Sequence, residues 1–255
     1  MKNLFLVFTL LWLSVACTFS QDNRAETTEK INQTDSKSRK QGYWQDTVDN
    51  IRSVGFYVNN LKDGSWLTYH PTGIVQFAES YRNGKKDGAF IEIDSKGYFV
   101  SEQFYINDKK SGSRKVYERG FRIILEENYL NDQLHGSKRA YYNNGTLQEE
   151  SEYSNGMKKG LSRWYSQNGQ LIAEYNYVDG KFEGIQKTFY ENNALMTEET
   201  FNDNIRNGLF KEYYENGQLK AEGNFKDNLK EGIWREYDDN GSLTAEKTFS
   251  AGVEK

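Results

Sequence analysis

Six glutamates recur at 24-residue intervals: Glu126, Glu150, Glu174, Glu198, Glu222 and Glu246. A pair of carboxylates brought to one place is the equipment of glycoside hydrolysis, one acting as acid and the other as base or nucleophile. A strictly periodic residue is better explained by the needs of a structural repeat, however, because an active site needs its residues only once. The two histidines, His70 and His135, do not recur, and neither has a second ligand at fixed spacing, so they read as solvated loop residues. The serines lack a positioned histidine. The one cysteine, Cys17, lies in an apolar leader and is no nucleophile. Acidic turns such as Asp238-Asp239-Asn240-Gly241 contain turn formers rather than the six or so converging oxygens that calcium requires. No glycine-rich stretch opens a helix that would cradle phosphate. The residues therefore predict no enzyme, no cofactor and no metal. A net charge of −4 carries no basic surplus and excludes nucleic acid as a partner class.

The periodic residues belong to a larger pattern. Glycines stand at Gly64, Gly88, Gly112, Gly136, Gly160, Gly184, Gly208 and Gly232, each 24 residues from the next, with Gly42 a further 22 residues upstream. A fixed period in this range marks a stacked repeat architecture. With the lead glycine of each copy counted as zero, position +5 is Tyr in six of the eight copies, as in Tyr141, Tyr213 and Tyr237. Position +11 is apolar throughout, and +17 is always aromatic, from Tyr81 to Phe249. Position +20 always tolerates a positive φ, as Gly84, Asp108 or Asn204 does. Between the halves comes Asn-Gly, at 144–145, 168–169, 216–217 and 240–241, flanked by aromatic and β-branched runs. That is the strongest short signal for a two-residue hairpin turn. Each copy thus reads as strand, tight turn, strand and polar turn. Pro71, the only proline, falls in a turn, where its missing N–H costs nothing.

If Asn-Gly fills both turn positions, residues whose positions sum to 17 lie opposite each other. Position +3 (Lys115, Arg139, Arg163, Lys187, Lys211, Arg235) then faces the glutamate at +14 in six successive hairpins. Such pairs contribute about 0.2–1 kcal/mol each and fix register, since a slip would set like charges opposite each other. The lead glycine falls opposite the +17 ring, which is expected to lie over it.

Met1–Ser20 has one lysine and an unbroken apolar stretch from Leu4 to Leu13, the pattern of a secretory signal peptide. Ser14-Val15-Ala16-Cys17 is similar to a bacterial lipobox, which would leave Cys17 acylated, although Ser14 stands where Leu is usual. The competing reading is ordinary cleavage before Gln21. Residues 21–41 have no aromatic residue and only two apolar ones, Ala25 and Ile31, and read as a disordered tether. Residues 42–63 form a worn first repeat, as expected of a cap, and residues 64–255 hold the eight good copies.

Gly-x-(Trp/Phe)-x-x-Tyr-Tyr-x-Asn-Gly-x-Leu-x-x-Glu-x-x-(Tyr/Phe), as in Gly208–Phe225, resembles the bacterial variant of the MORN repeat. The resemblance covers Gly64–Gly252. It implies an all-β fold: an elongated single-layer array of antiparallel β-hairpin repeats used for binding, with some relatives labelled antitoxin components. The expected function is a non-catalytic scaffold for protein–protein interaction at the bacterial cell envelope, in the periplasm, at the outer membrane or secreted. Its partners would be another envelope protein and, through a lipidated Cys17, the membrane. The alternatives are a glycan-binding module and an antitoxin-like partner of one protein. Adjacent rings such as Tyr213-Tyr214 point to opposite faces of a strand, and a single layer cannot bury both. Tyr142, Trp164, Tyr190 and Tyr214 are therefore the candidate binding-surface aromatics, and the glycan alternative predicts that replacing the three tyrosines abolishes sugar retention while leaving the fold intact.

Overall fold

The structure, a computed structural model, describes residues 30–118 and 121–255. The leader, Cys17 and the first part of the tether lie outside the described residues, as does Gly120. The described chain is all-β, with no helix: one open antiparallel sheet of 23 strands, paired in chain order except that Gly136–Tyr141, Gly160–Tyr165 and Gly184–Phe189 pass over the two-residue strand before them and pair with the longer strand before that.

The register within each copy is the expected one. Gly208 lies opposite Phe225, and Lys211 opposite Glu222; Gly160 and Arg163 pair with Tyr177 and Glu174 in the same way. The turn that produces this register is a different one. Tyr142 N–H donates to the Thr146 carbonyl and Gly145 N–H to the Tyr142 carbonyl, both at 2.8–2.9 Å, closing a three-residue loop over Asn143, Asn144 and Gly145. Gly145 alone of the three has a positive φ, of 88°. This is a type I turn followed by a left-handed glycine, not a two-residue turn. The longer loop offsets the strands by one residue, so that Tyr141 faces Leu147. An extra residue, Gln148, then restores the pairing of Ala140 with Glu149. The two irregularities cancel, which is why the sum of 17 holds from there on.

The two-residue turns lie between copies instead. At 203–204 and 227–228 both residues have positive φ, 53° and 70°, then 50° and 68°, the requirement of a type I′ turn. These turns are stitched to one another: the N–H of Asn228 donates to the Arg206 carbonyl at 3.0 Å, and that of Gly252 to the Lys230 carbonyl at 2.9 Å.

The lead glycines also have positive φ, 129° at Gly208 and 75° at Gly232. They sit in a bulge where the ascending strand carries two more residues than its neighbour: Phe201 pairs with Arg206, but Glu199 pairs with Phe210. No ring covers them; a Cβ at Gly64 or Gly232 would meet nothing within 4 Å. The ring-over-glycine contact occurs at Gly55 and Gly223, where a Cβ would fall inside the rings of Trp66 and Trp234.

The described part of the segment 21–41 belongs to the sheet and is not a disordered tether. Gln33–Thr34 forms a strand paired with Lys40–Gln41, and the side chain of Asn32 bonds the backbone of Gln45 twice, at 2.8 and 3.0 Å. Asp35 accepts the N–H groups of Lys37 and Arg39 and meets the Arg39 guanidinium at 2.6 Å. Those bonds to Arg39 hold its carboxyl well below the usual range. A sheet edge recruits a polar segment through backbone bonds and turn caps, without the apolar burial whose absence suggested disorder.

Candidate functional site: the two faces of the sheet

Side chains alternate across each strand, which divides the repeat into two faces. One carries the ion pairs. Arg139–Glu150, Arg163–Glu174, Lys187–Glu198 and Arg235–Glu246 close at 2.7–3.1 Å, while Lys115 turns to Glu102 of the preceding copy at 3.5 Å. The +5 tyrosines lie on the same face. Tyr141 donates to Glu126 at 3.1 Å and Tyr237 to Glu222 at 3.0 Å, so these glutamates join consecutive copies. Each carboxylate is thus committed to a partner within the array, which is the structural role expected of a periodic residue.

Position +1 on this face is aliphatic in the last four copies. Ile185, Leu209 and Ile233 are 49%, 44% and 46% exposed, far too open to be core. Beside them at the type I′ edge lie the exposed side chains of Val178, Ile205 and Leu229. Three consecutive strand pairs therefore present one apolar row to solvent. Sequence reasoning attended to the rings and missed this row, although its signal, aliphatic +1 residues from Leu161 onward, was present.

The other face is filled by rings and cations. Lys62 stands 4.4 Å from the Trp66 ring centre and 4.8 Å from that of Tyr81. Lys86 stands over Phe90 and Tyr105, and Lys230 over Trp234 and Phe249, at 4.1–5.1 Å. In these three copies a lysine two residues before the lead glycine covers the rings at +2 and +17 of the same copy. This periodic lysine is the second signal that sequence reasoning passed over. Burial, the largest cause in each case, pushes the phenols of Tyr81, Tyr129, Tyr153 and Tyr177 up to about 12. Burial also pushes Glu149 up, but hydrogen bonds from Lys158 and Ser151 outweigh it and hold the carboxyl below its usual range.

The four candidate aromatics are not free platforms. Tyr142, Tyr190 and Tyr214 are half-buried, and each hydroxyl donates to a backbone carbonyl one copy on, of Tyr165, Tyr213 and Tyr237, at 2.8–2.9 Å. Trp164 belongs to the ring face, 5.0 Å from Tyr175 and beneath Lys158 at 4.4 Å. Each of the three tyrosines is thus a tie between copies. The reading of His70 as a solvated loop residue is corrected. His70 occupies the same +6 position, and its Nε2 lies 2.9 Å from the Ile93 carbonyl. His135 is exposed. Among the described residues, no three His, Cys, Asp or Glu side chains are placed to hold a metal ion.

A hairpin array with this register and these ties matches a known family. The MORN repeat variant profile matches residues 62–83, 134–155, 158–179, 182–203, 206–227 and 230–251, just over half of the chain. The chain belongs to this family. The copies led by Gly88 and Gly112 fall between the matched segments, yet pair in the same register, Gly88 with Tyr105 and Gly112 with Tyr129. MORN repeats are in general non-catalytic scaffolds for protein or membrane interaction. No curated protein matches the chain. Among solved structures, it is similar to a chain of the Photorhabdus luminescens Tc holotoxin pore at 11% identity and a TM-score of 0.17. That match covers 87% of this chain and 16% of the other, and a score so low carries no argument.

Proposed function

We propose that the protein is a non-catalytic scaffold mediating protein–protein interaction at the bacterial cell envelope. The observation that carries this reading is the apolar row of Ile185, Leu209 and Ile233, open to solvent on three successive copies. Contiguous apolar surface on a sheet is expensive to leave wet and marks an interaction site. The leader at Met1–Ser20 supports export, and Cys17 supports a lipid anchor. The glycan reading loses support from the commitment of the Tyr142, Tyr190 and Tyr214 hydroxyls to neighbouring copies.

The test is a pull-down with the tagged full chain from an envelope extract of the source cells, split into protease-treated and untreated halves. The expected result is a captured protein, lost on protease treatment and lost again when the bait carries Ile185→Glu, Leu209→Glu and Ile233→Glu together. Retention of carbohydrate from both halves would overturn the reading in favour of a glycan module. Mass spectrometry of the mature N-terminus separates an acylated Cys17 from a free Gln21.

A further inference from the structure

On the ring face three neighbouring strands, Val75–Arg82, Lys85–Ile93 and Phe99–Ile106, bring a block of acids and rings together. Register arranges the block as two cross-strand rows. Phe77, Glu92 and Ser101 lie opposite one another in the first, and Glu79, Phe90 and Gln103 in the second. A hollow of about 220 Å³ opens among them, lined also by Tyr105 and Lys86. Hollows recur along this face, beside Phe182 and beside Trp234, so the space alone assigns nothing.

What distinguishes this hollow is an unpaired acceptor. Gln103 is 7% exposed, and its Nε2 donates to the Phe104 carbonyl at 2.9 Å. A carbonyl only accepts, so this bond fixes which way round the amide lies. The other end, Oε1, is buried and has no hydrogen-bond partner. Among the described residues, the Ser162 hydroxyl is the only other buried side-chain polar atom in that state. Buried polar atoms are paired as a rule, and an exception beside a cavity marks a place for a donor. The neighbouring cations are engaged elsewhere. The Lys86 ammonium lies over Phe90 and Tyr105, 4.8 and 4.9 Å from the ring centres. Arg114, opposite Gln103 on the next strand, is held by Glu127 at 2.8 Å.

The two carboxylates are unequal. Glu79 accepts the Tyr81 hydroxyl at 3.3 Å and stands 3.9 Å from the Lys62 ammonium. Glu92 accepts the Ser101 hydroxyl at 3.3 Å and has no ion-pair partner among the described residues. The hollow therefore suits a group that donates to an amide oxygen and neutralises one carboxylate. A sugar hydroxyl donates but carries no charge, and an ammonium is a single point charge. A guanidinium carries five N–H donors in a planar fork, has no acceptor, and lies flat on aromatic rings. The volume, below the roughly 300 Å³ of a drug-sized site, suits one side chain.

We propose that this hollow binds an arginine side chain of the protein partner, its guanidinium shared between Glu92 and the Oε1 of Gln103. The inference rests on the scaffold reading only in taking the arginine to come from a protein.

The experiment is an NMR titration of the full chain with N-acetyl-arginine methylamide, observing the ring signals of Phe77, Phe90 and Tyr105. The uncharged isostere N-acetyl-citrulline methylamide and methyl glucoside serve as controls. Saturable shifts at those rings are expected with the arginine probe and with neither control. Gln103→Leu removes the acceptor and should weaken binding by about tenfold, in line with one hydrogen bond to a charged group. Glu92→Gln keeps the shape, removes the charge and should weaken binding by about the same factor; it decides the matter if the leucine variant misfolds. Glu199→Gln, at the hollow beside Phe182, should change nothing. Equal binding of citrulline or glucoside, undiminished binding in the Gln103 or Glu92 variant, equal weakening by Glu199→Gln, or no saturable shift would each overturn the proposal. The capture experiment probes Ile185, Leu209 and Ile233 on the opposite face, so either result stands when the other fails.

Discussion

The hydroxyl of Tyr214 donates to the carbonyl oxygen of Tyr237, 2.9 Å away and one copy further along the chain. Tyr190 and Tyr142 make the same bond to Tyr213 and Tyr165. The asparagine beside each tyrosine adds a second tie: the Asn216 side chain donates to the Asp239 carbonyl at 3.0 Å. Copies in a stack gain stability only through such neighbour contacts. Tyr214→Phe keeps the ring and removes the bond, and should cost about 0.5–1.5 kcal/mol. A urea unfolding midpoint unchanged from that of the parent would show that the hydroxyl contributes nothing.

The contact between Gly223 and Trp234 sets a sharper limit. Trp234 is 6% exposed, and its indole N–H donates to the Asn224 carbonyl at 3.1 Å, which pins the ring across the glycine. A methyl group at 223 has no room. Gly223→Ala should destabilise by about 1–3 kcal/mol, and pairing it with Trp234→Leu should recover part of the loss. Thermal melting of the single and double variants decides the matter; strict additivity would mean that the clash is not the cause.

The three-residue turn makes a prediction of its own. Gly145 sits at φ 88°, where a side chain costs roughly 1–2 kcal/mol. In the copy led by Gly184 the equivalent residue is Asn193, at φ 65°. Gly145→Ala should therefore cost more than Gly145→Asn. Equal melting temperatures for the two variants would contradict the turn assignment.

The buried phenols give a pH dependence with a fixed sign. Tyr81, Tyr129, Tyr153 and Tyr177 have folded values of about 12, above the ordinary value of about 10. In this window the unfolded chain releases protons that the folded chain retains, so stability falls as pH rises from about 10 to 12 and is unaffected below it. Melting temperatures between pH 8 and 12 test this. A flat profile, or phenolate absorbance appearing near pH 10 in the folded protein, would show that the rings are not sheltered.

Much of this was legible in the amino-acid sequence. The glycine period gave the number of copies, and the facing of +3 with +14 gave the pairing, because a 24-residue unit with one cation and one glutamate in fixed places leaves one neutral register. The turn types were not legible. Asn-Gly suits both a two-residue loop and a three-residue loop, and the extra residue at Gln148 returns the strands to the same register, so arithmetic on the sequence cannot tell the two apart.

The sequence by itself determined the all-β repeat fold and its register, since these follow from local periodicity and turn chemistry. Only the tertiary structure decided what each side chain does: that the hydroxyl of Tyr214 is bound to the next copy, that Gly223 lies beneath Trp234, and that the Oε1 of Gln103 is buried without a partner. Periodicity describes what the copies share. These relationships join different copies, or arise where one copy departs from the rest, and they exist only once the copies are stacked.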